Sequence, residues 1–184
     1  MIITEFLSFK QFPEYGTWLK TQDLETRQLY FGIVTTDYVI DSLVDCIVAE
    51  PDEHYILVAT KNKQWVGTVH IATDMSTVEF GIIVSKELRG QGIGDQLIEE
   101  AIVWARNRGY KELFMHCVSS NTAIRYLCNK HGLQPRNMMG ESEVTMPLGP
   151  PNWVTISKEV TARQRSMLHL CLQNNTKFYE ELYG

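Results

Sequence analysis

A glycine-rich turn between an apolar stretch and an amphipathic helix is the segment of this sequence with the clearest chemistry. The turn consists of Arg89, Gly90, Gln91, Gly92, Ile93 and Gly94. Such a turn exposes unpaired backbone N–H groups at the positive end of the helix dipole. Glycine lets a ligand approach the backbone and lets the turn adopt positive φ. The segment therefore predicts a site for an anion, most naturally a phosphate or diphosphate.

Three phosphate-loop patterns can be compared with this turn. A Walker loop requires a Gly-Lys pair, which the chain lacks. A dinucleotide fingerprint starting at Gly90 would need its third glycine at the position of Asp95, and the required acidic residue is missing from the end of the next strand. The pattern [RQ]-x-x-G-x-[GA] is matched by Arg89, Gly92 and Gly94. In this it resembles the loop of the GNAT acyltransferases, which bind acetyl-CoA.

The segments on both sides of the loop extend this resemblance from residue 78 to residue 133. Residues 78–88 read V-E-F-G-I-I-V-S-K-E-L, similar to the strand that precedes the family's loop. Beyond the loop, apolar residues recur at helical spacing from Ile93 to Ala105. Residues 121–133 resemble the next family helix, which begins with Asn and ends in Gly-Phe, with Leu133 here in place of Phe.

The resemblance implies an α/β (mixed α+β) fold with a GNAT-like mixed central sheet flanked by helices. The predicted strands are 55–60, 65–72, 78–84, 112–119 and 144–148. The first three form an antiparallel meander, and strand 112–119 joins in parallel through a crossover helix. Residues 16–48 are predicted to form two helices with a break near 35–37.

We expect one domain over residues 1–184, with the core fold in 1–149 and an extension in 150–184. Gly149-Pro150-Pro151 breaks regular structure. Apolar residues from Leu168 to Leu182 then recur at helical spacing and predict an extra C-terminal helix. We expect this helix to dock on its own domain, with a homodimer as the alternative.

The resemblance also implies how acetyl-CoA would be held. The loop amides from Arg89 to Gly94 would bind its diphosphate. Backbone groups of Ile82, Ile83 and Val84 would pair with the peptide-like pantetheine arm, as an added strand pairs with a sheet edge. Asn121 matches a family position whose side chain contacts the cofactor. An N-cap of the following helix is an alternative role for Asn121, and the two roles are compatible.

Glu79 and His116 are the two candidates for the general base that deprotonates an acceptor amine. Glu79 lies where many family members carry a glutamate, and His116 lies on the next strand, where some relatives carry a catalytic glutamate. A histidine's ordinary pKa of about 6.5 suits a base near neutrality. The alternatives are a solvated or salt-bridged carboxylate for Glu79 and a satisfied core histidine for His116.

The general acid stays unassigned. Relatives often place a tyrosine four residues before the helix-ending glycine, but Cys128 stands there. A small buried packing residue is the favoured interpretation of Cys128. Tyr126 lies roughly 160° around the helix from it and is expected to face elsewhere. The leaving thiolate takes its proton either from solvent or from a tyrosine elsewhere in the chain.

Composition limits the other function classes. The net charge is −5 with no basic run, which disfavours nucleic-acid binding. No apolar run approaches the ~20 residues of a membrane span, and the N-terminus lacks a basic signal-like region. With no C-x-x-C pair and no metal-ligand spacing of histidines, we expect a cytoplasmic protein with no metal site.

The sequence thus predicts an acetyl-CoA-dependent N-acetyltransferase that acts on a small-molecule or protein amine. One alternative is a GNAT-like module that binds acyl-CoA without turnover, as a sensor or assembly part. Another is a nucleotide-phosphate binder with no preference for the pantetheine arm.

Overall fold

The structure, a computed structural model, describes residues 1–117, 121–138 and 141–183. The strands are β1 (Ile3–Phe6), β2 (His54–Lys61), β3 (Gln64–Asp74), β4 (Thr77–Val84), β5 (Glu112–Cys117), β6 (Gln134–Met138) and β7 (Glu141–Pro147). The helices are α1 (Phe12–Lys20), α2 (Leu24–Phe31), α3 (Asp37–Ala49), α4 (Ile93–Asn107), α5 (Thr122–Lys130) and α6 (Trp153–Tyr183).

Across these residues the strands form one mixed sheet in the order β1-β2-β3-β4-β5-β7-β6. Strands β1 to β4 are antiparallel to their neighbours, β4 and β5 are parallel, and β5, β7 and β6 are antiparallel again. The predicted fold class is therefore confirmed, including the meander and the parallel strand that follows a crossover helix. That helix is α4, and its N-terminus is formed by the glycine-rich turn.

Two strands that the sequence did not predict, β1 and β6, are the two edges of the sheet. Both are short, with four and five residues. Strand β6 also contains Pro135, which argues against a central strand but is compatible with an edge, where one side needs no N–H donor. The last strand runs from Glu141, three residues before its predicted start.

The prediction of two helices in residues 16–48 is wrong, because three helices occupy residues 12–49. The missed break lies before α2, where the Asp23 side chain accepts a hydrogen bond from the Thr26 N–H and caps the helix. The predicted break is present and lies between Gly32, which ends α2 at φ 75°, and Thr36, the N-cap of α3.

Helices cover both faces of the sheet. Helices α1 and α3 pack tightly together, since a Cβ at Gly16 would lie 2.7 Å from Val44 Cγ2. They lie over a core that includes Ile83, whereas its neighbour Ile82 belongs to the core beneath α4. Successive residues of β4 thus enter opposite cores, so this strand is buried on both faces near its end.

The C-terminal helix α6 packs on α4 and β1 near its own start, upstream of residues 168–182, which were predicted to dock, and Leu168 is 66% exposed. Arg108 and Glu159 form an ion pair of 3.2 Å across this contact, and Asn107 Nδ2 donates to the Thr155 carbonyl. The side chains from residue 170 onward lie outside the described part. Within that part no helix, α6 included, combines the length and the apolar character needed to cross a bilayer.

Candidate active site

The site begins where the two parallel strands separate. The register of β4 and β5 runs from Thr77 opposite Glu112 to Glu79 opposite Phe114, and the pairing ends there. Strand β4 then continues to Val84 with no further described pairing to β5, and residues of α2 and α5 line the space beside it. A cleft of about 420 Å³ opens along this part of β4. Its size suits part of a small molecule held against the strand.

Nine of the ten predicted cofactor-binding residues line this cleft. They are Ile82, Ile83, Val84, Arg89, Gly90, Gly92, Ile93, Gly94 and Asn121. The exception is Gln91, which is exposed and accepts a hydrogen bond of 2.9 Å from Lys61 Nζ. The structure therefore brings the predicted strand, loop and helix start to one concave surface.

The loop has the geometry of an anion cradle. Gly90 and Gly92 have φ of 75° and 79°, and a Cβ at either position would meet nothing within 4 Å. The glycines are thus required by the backbone conformation, and they leave open space at the start of α4. Because Gly92 is the N-cap and has no side chain, the first N–H groups of α4 are available to a ligand. This arrangement fits a diphosphate.

An acidic side chain in the first turn of α4 is neutralised by α5. Asp95 contacts Lys130 Nζ at 2.7 Å and His131 Nε2 at 2.8 Å. The hydrogen bond from Lys130 is the main reason that the pKa of Asp95 is lowered. The two contacts join α4 to the end of α5, and the ion pair with Lys130 offsets a negative charge that would oppose binding of a phosphate.

Three side-chain contacts tie the segment from the end of β4 to the first loop residue to α2 and to the residue Gln22 just before it. Ser85 Oγ donates to Gln22 Oε1 at 3.0 Å, and Lys86 Nζ donates to Glu25 Oε2 at 2.7 Å. Arg89 Nη2 donates to Thr26 Oγ1 at 2.7 Å. The guanidinium of Arg89 therefore positions α2 against the segment between β4 and α4. No sequence pattern indicates this role of Arg89.

Asn121 is the N-cap of α5, which confirms that interpretation of this residue. Its Oδ1 accepts from the Ile124 N–H at 3.2 Å, and its Nδ2 donates to the Leu29 carbonyl at 3.5 Å. The side chain thus connects the start of α5 to α2 across the cleft. A contact with a cofactor is compatible with these bonds and stays a prediction.

The two candidate bases lie beside each other at the point where the strands separate. His116 Nε2 is 3.8 Å from Glu79 Oε1, and the side chains are 55% and 41% exposed. His116 is thus not a core histidine. Neither residue belongs to the cleft lining among the described residues, so the pair lies next to the cleft, open to solvent and to an acceptor.

The sequence model of the acetyltransferase (GNAT) family matches residues 13–133, which is more than half of the chain. The chain belongs to the GNAT acetyltransferase family. The match includes β4, the loop, α4 and α5, which form the cleft. It ends at Leu133, before β6, β7 and α6.

Individual relatives are distant from this GNAT protein. An uncharacterized N-acetyltransferase of Bacillus subtilis (strain 168), YobR, is 37% identical over 54 residues, which are 29% of this chain and 22% of that protein. An N-acetyltransferase from Staphylococcus aureus Mu50 has a TM-score of 0.63 at 17% identity, with 81% of this chain and 99% of that chain covered. The PaiA N-acetyltransferase from Thermoplasma acidophilum, solved with coenzyme A, has a TM-score of 0.64 at 16% identity, with 80% and 99% covered.

The usual position of the GNAT acid contributes no hydroxyl here. Cys128 is 2% exposed and lies in the core beneath α4, which confirms the packing interpretation. Tyr126 points away from that core, as expected, but it lines the cleft and is 66% exposed. The hydroxyl of Tyr126 is therefore on the solvent side of α5.

A second tyrosine in the cleft comes from a segment with no motif. Tyr30, on α2, lines the cleft, and its hydroxyl lies 2.9 Å from the hydroxyl of the buried Tyr15. A Cβ at Gly81 would lie 2.7 Å from the Tyr30 hydroxyl, so that hydroxyl sits directly on β4. The sequence signal was Gly81 itself, because a glycine inside a strand often marks the close approach of another group.

Proposed function

We propose that this chain transfers an acetyl group from acetyl-CoA directly to an amine, the reaction of an N-acetyltransferase. One observation carries the proposal. A cleft with an anion cradle at one end runs along β4 toward two proton acceptors, Glu79 and His116, that lie 3.8 Å apart. Family membership supports the same reaction, and the coenzyme A complex of the Thermoplasma relative supports the cofactor.

The chain's own backbone would hold acetyl-CoA at two places. The open N–H groups of the loop from Arg89 to Gly94 would bind the diphosphate. The backbone of Ile82 to Val84 has no neighbouring strand on the β5 side, because the described pairing with β5 ends at Glu79. Its free donors and acceptors can pair with the amide groups of the pantetheine arm. Bound acetyl-CoA supplies the activated acyl group.

Glu79 and His116 would remove the proton from the acceptor nitrogen. Two proton acceptors separated by 3.8 Å can both reach one amine nitrogen, directly or through one water. Their partial exposure leaves room for an acceptor that approaches from the solvent side. Which of the two takes the proton is a question for the pH dependence of the reaction.

The first experiment is a calorimetric titration of the purified protein with acetyl-CoA, CoA, NAD and ATP. We expect micromolar binding of acetyl-CoA and CoA and much weaker binding of NAD and ATP. Equal binding of all four ligands would instead support a nucleotide-phosphate site. A screen of amines for acetyl transfer then separates the enzyme from a module that binds acyl-CoA without turnover, for which no amine would be acetylated.

The roles of the two bases can be separated with the Glu79→Gln and His116→Gln variants. A general base contributes roughly 10²- to 10⁴-fold to the rate, and its loss removes the fall in rate toward acid pH. We expect one variant to lose both the rate and the acidic limb of the pH profile. Glu112→Gln is a control, since it removes a carboxylate on the same face of β5. Unchanged profiles in both test variants would contradict the assignment.

Several sequence predictions stay predictions and complete the proposal. The acceptor is a small-molecule amine or a protein amine. The chain is a single domain over residues 1–184, with the core fold in 1–149 and the extension in 150–184. It is cytoplasmic, and a homodimer is the alternative to a monomer. Size-exclusion chromatography with light scattering tests the last point.

A further inference from the structure

Tyr30 brings a hydroxyl to the part of the cleft where none was predicted. Its oxygen lies on the face of β4 at Gly81, where a Cβ would come within 2.7 Å of it. Strand backbone advances about 3.3 Å per residue, so Gly81 lies about 10 Å before Val84 along β4. A pantetheine arm that runs from the loop and pairs with residues Ile82 to Val84 would therefore end beside Tyr30.

The hydrogen bond between Tyr30 and Tyr15 determines whether the proton of Tyr30 is available to a ligand. Tyr15 is fully buried, and its hydroxyl lies 2.9 Å from that of Tyr30. Either hydroxyl can be the donor of this bond, and when Tyr15 donates, the Tyr30 oxygen is the acceptor. The proton of Tyr30 then remains available to a ligand in the cleft. Burial raises the pKa of Tyr30 to about 12, and the negative charge of Glu79 acts in the same direction, so the hydroxyl stays protonated.

The α2 helix holds Tyr30 in this place. Its start is capped by Asp23, and the contacts from Lys86 and Arg89 fix it to the segment that leads into the loop. The Leu29 carbonyl next to Tyr30 accepts from Asn121 on α5. The hydroxyl is thus preorganised by both walls of the cleft, which is the condition for effective stabilisation of a developing charge.

We infer that the Tyr30 hydroxyl donates a hydrogen bond to the sulfur of bound acetyl-CoA and stabilises the negative charge that builds on it during transfer. This inference rests on the proposed function. In the step, the amine nitrogen bonds to the carbonyl carbon, the carbon–sulfur bond breaks, and its electron pair stays on sulfur. The amine proton goes to Glu79 or His116. Tyr30 keeps its own proton, and water protonates the thiolate later.

The test measures the pKa of the thiol of bound CoA, followed by thiolate absorbance against pH. We expect the thiol to titrate at lower pH in the wild type than in Tyr30→Phe, by about one pH unit or more, because a hydrogen bond to a charged group is lost. Tyr38→Phe is the matched control, since Tyr38 is 78% exposed on α3. It should leave the titration unchanged.

Kinetics give the second measurement. Tyr30→Phe should lower kcat about 10- to 100-fold, or about 1.4–2.7 kcal/mol, while KM for acetyl-CoA stays the same. The shape of the pH profile should also stay the same, because Tyr30 acts as a donor and does not lose its proton. Loss of the basic limb in Tyr30→Phe would identify a general acid and overturn the inference.

The outcomes separate this inference from the proposed function. If the wild type does not bind CoA, the proposed function fails and the inference fails with it. If the wild type binds CoA and the pKa of the bound thiol is the same in the wild type and in Tyr30→Phe, only the inference is overturned. A shift in Tyr126→Phe alone would assign the role to Tyr126. Gly81→Ala is a second variant, because the added methyl displaces the Tyr30 hydroxyl and should reproduce the shift.

Discussion

Replacing Gly92 with alanine separates backbone strain from ligand binding, because α4 offers a matched position at its other end. Gly92 has φ of 79° at the N-cap of α4, and Gly109 has φ of 81° just beyond its C-terminus. At both positions an added Cβ would meet nothing within 4 Å. The two alanine variants therefore carry the same strain and no steric clash. They differ in their distance from the loop.

The stability cost follows from the backbone conformation. An alanine in the left-handed region costs about 1–2 kcal/mol. Alanine also lowers the entropy of the unfolded chain, which offsets about 0.4–1 kcal/mol of that cost. Both variants should lose about 1 kcal/mol, or ~2–4 °C in Tm for a chain of this size. The methyl at Gly92 additionally stands in the open space of the anion cradle. We expect its Kd for CoA to rise at least about tenfold, that is ~1.4 kcal/mol.

Thermal unfolding and calorimetric titration with CoA test this pair of variants. The expected result is an equal fall in Tm and a loss of CoA affinity in Gly92→Ala alone, with Gly109→Ala within about twofold of the wild type. Equal affinity in the two variants would refute the assignment of the loop as the diphosphate site. Gly92→Glu is the stronger form of the test, since it adds a negative charge where a phosphate would bind.

Two further predictions concern stability. Burial lowers the pKa of His70 to about 3, with the neighbouring His54 acting in the same direction. In the unfolded chain the same imidazole binds its proton near pH ~6.5. The contribution of neutral His70 to the free energy of unfolding is therefore complete above that pH and falls by about 1.4 kcal/mol per pH unit below it. Urea unfolding at several pH values should show this loss between pH ~6.5 and ~5 and a flatter dependence in His70→Gln; an unchanged dependence would contradict it. Asp23→Ala should lower the free energy of unfolding by about 1 kcal/mol, because the cap on the Thr26 N–H is lost. Asp23→Asn should keep most of the stability, since its side-chain oxygen can still accept this bond. Equal urea midpoints for the two variants would argue against capping.

The centre of the sheet was predictable because its strands carry strong local signals. Strands β2 to β5 are 6 to 11 residues long and rich in apolar residues, and short turns join the first three. The edges lacked these signals. Strand β1 has four residues, and β6 contains Pro135, so pairing with β2 and β7 makes them strands. The break before α2 was missed because the cap formed by Asp23 is one polar residue in a polar segment.

The residues of the site likewise fall into those that a local sequence pattern predicts and those that only the folded chain brings to the cleft. The loop, Asn121, Glu79 and His116 belong to a continuous stretch whose order matches a known family, so the sequence could identify each of them. Tyr30 and Tyr15 come from helices that reach the cleft only after the chain has folded, and no periodicity or motif places them there.

Gly81 is the local sequence feature that corresponds to one of these distant residues. It stands in the middle of an apolar strand, where glycine weakens a sheet and needs a structural reason. The structure supplies that reason, because any side chain at Gly81 would collide with the hydroxyl of Tyr30. The glycine in the strand is thus a sequence signal for the close approach of another group, although the sequence does not show that this group is Tyr30. Whether Gly81→Ala and Tyr30→Phe change the same property of bound CoA decides if the close approach serves catalysis or packing alone.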